Sequence, residues 1–105
     1  MLKYILEGKT PKPIADVVEW AKQFEKADRI VAKTTLPNGI KVSTVFLGID
    51  YNFSSGVPIL FETMIFGGKH DDYQERYSTW EEAEAGHKRA VELVKGEKHE
   101  SSHKD

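Results

Sequence analysis

The chain has 105 residues, 39% of them hydrophobic, no cysteine and a formal net charge of -2. That supplies apolar material for one domain with a thin core, and chains of this size commonly gain burial by associating with copies of themselves. The missing cysteines exclude disulfides and thiolate zinc sites, and the mildly acidic balance argues against bulk DNA binding.

The opening stretch, MLKYILEGKTPKP, has neither the sustained apolar segment nor the small-residue cleavage site of a signal peptide. No apolar run approaches the roughly 20 residues of a membrane span. Both features lead to the expectation of a soluble, cytoplasmic protein. Residues 2–8 read as a short strand ending at Gly8. The prolines of TPKP interrupt regular pairing, and Pro13 suits the first turn of a helix. From there Ile14, Val17, Val18, Ala21 and Phe24 recur at helical spacing, with Trp20 at the margin of the stripe.

RIVAKTTL at 29–36 is rich in β-branched residues and reads as a strand. Asn38-Gly39 is a hairpin turn signal, and residues 40–49 return as the partner strand. The alternation there is imperfect: Ile40, Val42 and Phe46 share one phase, Val45, Leu47 and Ile49 the other. A bulge, or a strand apolar on both faces, explains that pattern. Residues 50–58 form a loop, 57–66 the next strand, GGKHDD a turn and YQERYS a short final strand. Ser78 with Glu81, and Thr79 with Glu82, both fit a capping box ahead of a last helix. The stripe of that helix is Trp80, Ala83, His87, Ala90, Val91 and Val94. Beyond Lys95 the apolar residues stop, so residues 96–105 are expected to form a disordered tail behind a single domain of residues 1–95.

These elements predict an α+β domain: an antiparallel sheet of about four to five strands with two amphipathic helices, in the order β-α-β-β-β-β-α. If both helices cover one face, the other carries half of two apolar strands. A second copy of the chain is the expected cover.

Within ILFETMIF (59–66), alternation puts Glu62 on one face with Leu60, Met64 and Phe66. A carboxylate among such neighbours must be ion-paired, hydrogen-bonded or protonated. It is therefore either a structural pair, at an oligomer seam or within the chain, or a ligand contact. Arg76 in the last strand is the expected partner, with Arg29 next. His87, on the apolar stripe, reads as a hydrogen-bonded core histidine with no nucleophile to serve. The His99-x3-His103 spacing in the tail does not make a metal site, and the hydroxyl pairs Ser43-Thr44 and Ser54-Ser55 sit in no nucleophile elbow. No acid–base pair has a workable spacing. The reading is therefore non-enzymatic, with no catalytic residue, metal or cofactor.

Three blocks in order, VSTVFLGIDYNF (42–53), PILFETMIFGG (58–68) and ERYSTWEEAEAGHKRAV (75–91), resemble a family of small accessory proteins encoded by tailed phages and prophages. KHDDY stands where that family carries a glycine- and proline-rich loop. In size and layout the chain is also similar, more distantly, to the anti-Thoeris sponge proteins. The resemblance implies an immune-evasion role in the host cytoplasm, in which a homo-oligomer binds a nucleotide-derived second messenger and holds it uncleaved. For such an anionic ligand the chain offers Phe46, Tyr51, Phe53 and Tyr77 for stacking, Arg76 and Arg29 for phosphate, and Glu62, Asp50 and Thr63 for hydroxyls. The competing readings are an anti-CRISPR-like inhibitor that binds a defence protein directly, and a small hydrolase built on Glu62 or His87.

Overall fold

A computed structural model describes residues 2–53 and 56–104, with side chains as far as residue 96. The architecture is α+β. The elements are β1 (Lys3–Glu7), β2 (Thr10–Ile14), α1 (Val17–Lys26), β3 (Ile30–Thr35), β4 (Lys41–Phe46), β5 (Phe61–Phe66), β6 (Gln74–Tyr77) and α2 (Trp80–Lys104). β3 to β6 form an antiparallel meander in sequence order, and β1 and β2 form a separate hairpin. No described helix is long and apolar enough to cross a membrane.

The extra strand is β2, whose sequence is TPKPI. Its prolines do not prevent pairing because both occupy the same phase. Pro11 and Pro13 lie opposite Leu6 and Tyr4, two residues apart, on an edge strand. That spacing leaves Thr10, Lys12 and Ile14 to face β1 with their amide groups, and prolines are tolerated where no ladder donor is needed. Gly8, at φ 64°, opens the two-residue turn between β1 and β2. Pro13 thus belongs to a strand, and the helix starts later. Asp16 caps α1 by accepting from the amides of Val18 and Glu19.

α1 departs from expectation in where it packs. It lies against the β1–β2 hairpin rather than on the four-stranded sheet. None of its residues is buried, and Val17 and Val18 are more than half exposed. Trp20 does the anchoring instead: its Nε1–H donates to Tyr4 O (3.0 Å) and Gly48 O (3.2 Å), and its ring stacks on Phe24. Burial alternates unbroken from Ile40 to Gly48, two residues past β4, and Gly48, at φ 76°, has no room for a Cβ, which would overlap Phe24. Beyond that point the chain changes partner: Phe46 N donates to Arg29 O, whereas Tyr4 N donates to Gly48 O. The hairpin thus continues the edge that β3 leaves. The register irregularity lies in β3, between Ile30 and Ala32.

α2 is the main cover of the meander, and Tyr4, Leu6 and Phe24 complete the cluster around Phe46 and Phe61. Val42, Phe46, Phe61 and Ile65 from the sheet meet Ala83, Ala90 and Val94 of the helix. The cap is Thr79: its Oγ1 accepts from Glu82 N, and Glu82 Oε1 accepts from Thr79 N, both at 3.1 Å. The helix does not stop at Lys95. Its backbone continues to Lys104 through the segment expected as a disordered tail. A helical Gly96 costs only about 1 kcal/mol, and the Glu and Lys that follow are good helix formers. Asp105 lies outside the described residues.

Candidate functional site

Among the described residues, no helix lies on the face of the sheet opposite α2. Its rows follow from the pairing register. Ile30, Val45, Glu62 and Arg76 lie across the sheet in one row, and Lys33, Ser43, Met64 and Gln74 in the next. Thr35, Lys41 and Phe66 make the third. Ile30 and Phe66 are about half exposed. Lys33, Lys41 and Arg76 face one carboxylate, Glu62, so this side is basic on a chain whose net charge is -2.

Glu62 is 8% exposed, as its apolar surroundings require. Its Oε2 accepts from Arg76 Nε at 2.8 Å and from Gln74 Nε2 at 2.7 Å. Both donors stand two residues apart on β6, so β6's alternation delivers them to the same face. Arg76 lies with its guanidinium 4.6 Å from the Tyr51 ring centroid. Tyr51 is brought there by its own strand-like pairing, Tyr51 N to Ile59 O, and by Asp50, whose Oδ1 accepts from the amides of Asn52 and Ile59. Phe53 meets Tyr51 edge-on and is 76% exposed.

Glu62, Arg76, Tyr51 and Phe53 are therefore together on the open side. The other candidates are not. Phe46, Thr63 and Tyr77 are buried beneath α2, on the opposite face, and cannot meet a ligand held by Arg76. The physical reason is the period-2 alternation: Thr63 follows Glu62, and Tyr77 follows Arg76. Arg29 precedes β3, at the far edge of the sheet, where its guanidinium lies over Phe24, 4.4 Å from the centroid. Gln74, Lys33 and Lys41 share the open face and were not among the expected residues. Their signal was their register with Glu62, which needs the strand ends to be known. The Ser54-Ser55 pair lies outside the described residues, as do the side chains of His99 and His103.

Beneath α2 runs a second polar group. His87 Nε2 is 2.8 Å from Thr34 Oγ1, and Nδ1 is 2.8 Å from Thr44 Oγ1. Thr44 and Thr63 hydroxyls are 2.5 Å apart. Tyr77, which follows on β6, donates its hydroxyl to Glu75 Oε1 at 2.8 Å. Glu75 is further held by Arg89, at 2.7 Å. The ionised carboxylate can only accept, and this sets the Tyr77 hydroxyl. Tyr77 therefore donates to Glu75, and one threonine hydroxyl of the Thr44–Thr63 pair donates to the other. Burial pushes the Tyr77 phenol up and the Glu75 bond adds to this, so it remains a donor. Burial works against Glu75 ionising, but its bonds from Arg89 and Tyr77 outweigh that and hold it below the usual carboxylate range. Burial also lowers His87. With both ring nitrogens engaged internally and 6% exposure, His87 ties α2 to β3 and β4.

Among the described residues, two concavities lie away from Glu62. One, about 210 Å³, is lined by Leu36, Pro37, Asn38, Val94 and Lys95. The other, about 50 Å³, lies between Phe24, Phe46 and the hairpin residues Ile5 and Leu6. Among the described residues no cluster of three or more His, Asp or Glu side chains could hold a metal ion. No protein-family model, curated protein or solved structure matches the chain.

Proposed function

We propose that the chain is a binding protein that sequesters a small nucleotide-derived anion without cleaving it, and that a second copy covers its open sheet face. The observation that carries this reading is the basic, partly apolar face around Arg76, on a chain that is acidic as a whole. An uncovered face bearing Ile30, Val45, Met64 and Phe66 gains by burial against another surface. Two such faces would repel through their lysines and Arg76, and an anion at the seam relieves that repulsion. A planar cation on an aromatic ring suits phosphate and nucleobase groups together. Retention of a host second messenger, as a phage-encoded counter to host defence in the host cytoplasm, is the physiological role proposed.

Native mass spectrometry of protein purified gently from defence-active cells tests the proposal. A multimer carrying a nucleotide-sized adduct is the expected result. A bare monomer that stays bare when incubated with cyclic dinucleotides and ADP-ribose derivatives refutes it. Capture of a defence protein by such a monomer would favour the inhibitor reading in its place.

A further inference from the structure

Resting on the binding function proposed above, we infer that the outward face of the Arg76 guanidinium is a stacking platform for the base of a nucleotide, and that Glu62 positions this platform rather than touching the ligand. The guanidinium is held from two directions. Its inner face lies on Tyr51, 4.6 Å from the centroid, and its Nε edge donates to Glu62 Oε2 at 2.8 Å. Oε2 is itself held by Gln74 Nε2 at 2.7 Å, so the carboxylate has little freedom to turn. An exposed arginine normally loses considerable side-chain freedom on binding, and here much of that loss has already occurred in the free protein.

What remains available on Arg76 is specific. Its side chain is 37% exposed while that of Glu62 is 11% exposed. Among the described residues, Tyr51 takes one face and Glu62 takes Nε, which leaves the second face and the terminal nitrogens for a ligand. A flat ring fits the face, and an anion in the plane of the guanidinium fits the terminal nitrogens. Phe53, 76% exposed and edge-on to Tyr51 at 6.4 Å, adds an apolar wall beside the platform. Lys33 and Lys41 lie on the same face, three and two strands from Arg76, and add to its positive potential without reaching the platform. A nucleobase joined to phosphate meets these requirements together. A bare phosphate uses the edge alone, and a nucleoside the face alone.

The test is an NMR titration of the full chain with three probes: AMP, adenosine and ribose 5-phosphate. AMP is expected to bind, with adenosine and ribose 5-phosphate each about tenfold weaker, the scale of a lost stacking or phosphate contact. Arg76→Lys keeps the charge and removes the plane, so its affinity for AMP should fall to that for ribose 5-phosphate. Glu62→Ala should weaken AMP binding and Glu62→Gln, which still offers an acceptor to Nε, should restore it. Circular dichroism confirms that each variant is folded. Equal affinity for AMP and ribose 5-phosphate, or full AMP binding by Arg76→Lys, overturns the stacking platform and leaves the anion-binding function standing. If none of the three probes binds at millimolar concentration, the platform and the proposed nucleotide ligand both fall.

Discussion

Gly86→Ala separates packing from helix propensity by the sign of its effect. Gly86 lies inside α2 with a helical backbone, so propensity alone predicts that alanine stabilises the protein by about 1 kcal/mol. The structure predicts the opposite. A Cβ on Gly86 would overlap Tyr77 Oη, Cζ and Cε1, all closer than the 3.0 Å that real Cβ contacts respect. The ring cannot swing aside freely, because Tyr77 is 7% exposed and its hydroxyl is bound to Glu75. Overpacking of this kind costs about 1–3 kcal/mol. Displacing the phenol also loses a hydrogen bond to a carboxylate, about 1.5–3 kcal/mol. Offset by the propensity gain, the net is a destabilisation of about 1.5–5 kcal/mol. Gly96 is the internal control: it lies on the same helix with open space where its Cβ would stand. Gly96→Ala should be neutral or stabilising by up to about 1 kcal/mol. Urea denaturation followed by far-UV circular dichroism measures both variants. Stabilisation of Gly86→Ala to the same extent as Gly96→Ala would refute the packing of Tyr77 against α2.

Stability should also depend on pH through His87. Its folded-state pKa is lowered by burial, so the unfolded chain takes up the proton first. The contribution is complete above the unfolded value near 6.5 and is lost as pH falls from there towards the folded pKa, with a slope of at most about 1.4 kcal/mol per pH unit. His87→Gln should flatten denaturation midpoints in that window. A slope there equal to the wild type's would show that His87 is not the group responsible. Glu75, whose pKa is also lowered, contributes separately, above the carboxylate range, and that stability is lost as pH falls below about 4.5. Glu62→Ala should destabilise by about 1–3 kcal/mol, less than for a fully buried pair because Arg76 is partly solvated. A double-mutant cycle with Arg76→Ala isolates the coupling, and a coupling energy near zero would show that Glu62 does not depend on the pair.

Much of the local structure was legible in the chain. The Asn38-Gly39 turn, the strands around Val42 and Phe61, and the α2 stripe of Ala83, His87, Ala90 and Val94 follow from periodicity and turn chemistry, which act over a few residues. The opposition of Glu62 and Arg76 was accessible for the same reason: alternation assigns Glu62 a face, and a hairpin brings the next strand beside it. The choice between Ser78 and Thr79 as the cap was not accessible, since both offer a hydroxyl three residues before a Glu. Only the placement of Trp80 as the first helical residue decides it.

Tertiary structure decided the rest. Local spacing made α1 amphipathic, yet it could not say which surface would receive the helix. Trp20 reaching Tyr4 O and Gly48 O, from β1 and the chain beyond β4, is what draws it onto the hairpin. Two prolines argued against β2 until the register put both in the phase that gives the ladder no amide donor. Phe46, Thr63 and Tyr77 were plausible ligand contacts by residue type, and the side of the sheet they occupy removes them. The sequence by itself determined the elements and the apolar faces, because those depend on chemistry between near neighbours. Which face α2 covers, which residues surround Arg76, and the hydrogen bonds that join His87 to Thr34 and Thr44 depend on contacts between residues far apart in the chain, and only the folded packing sets them.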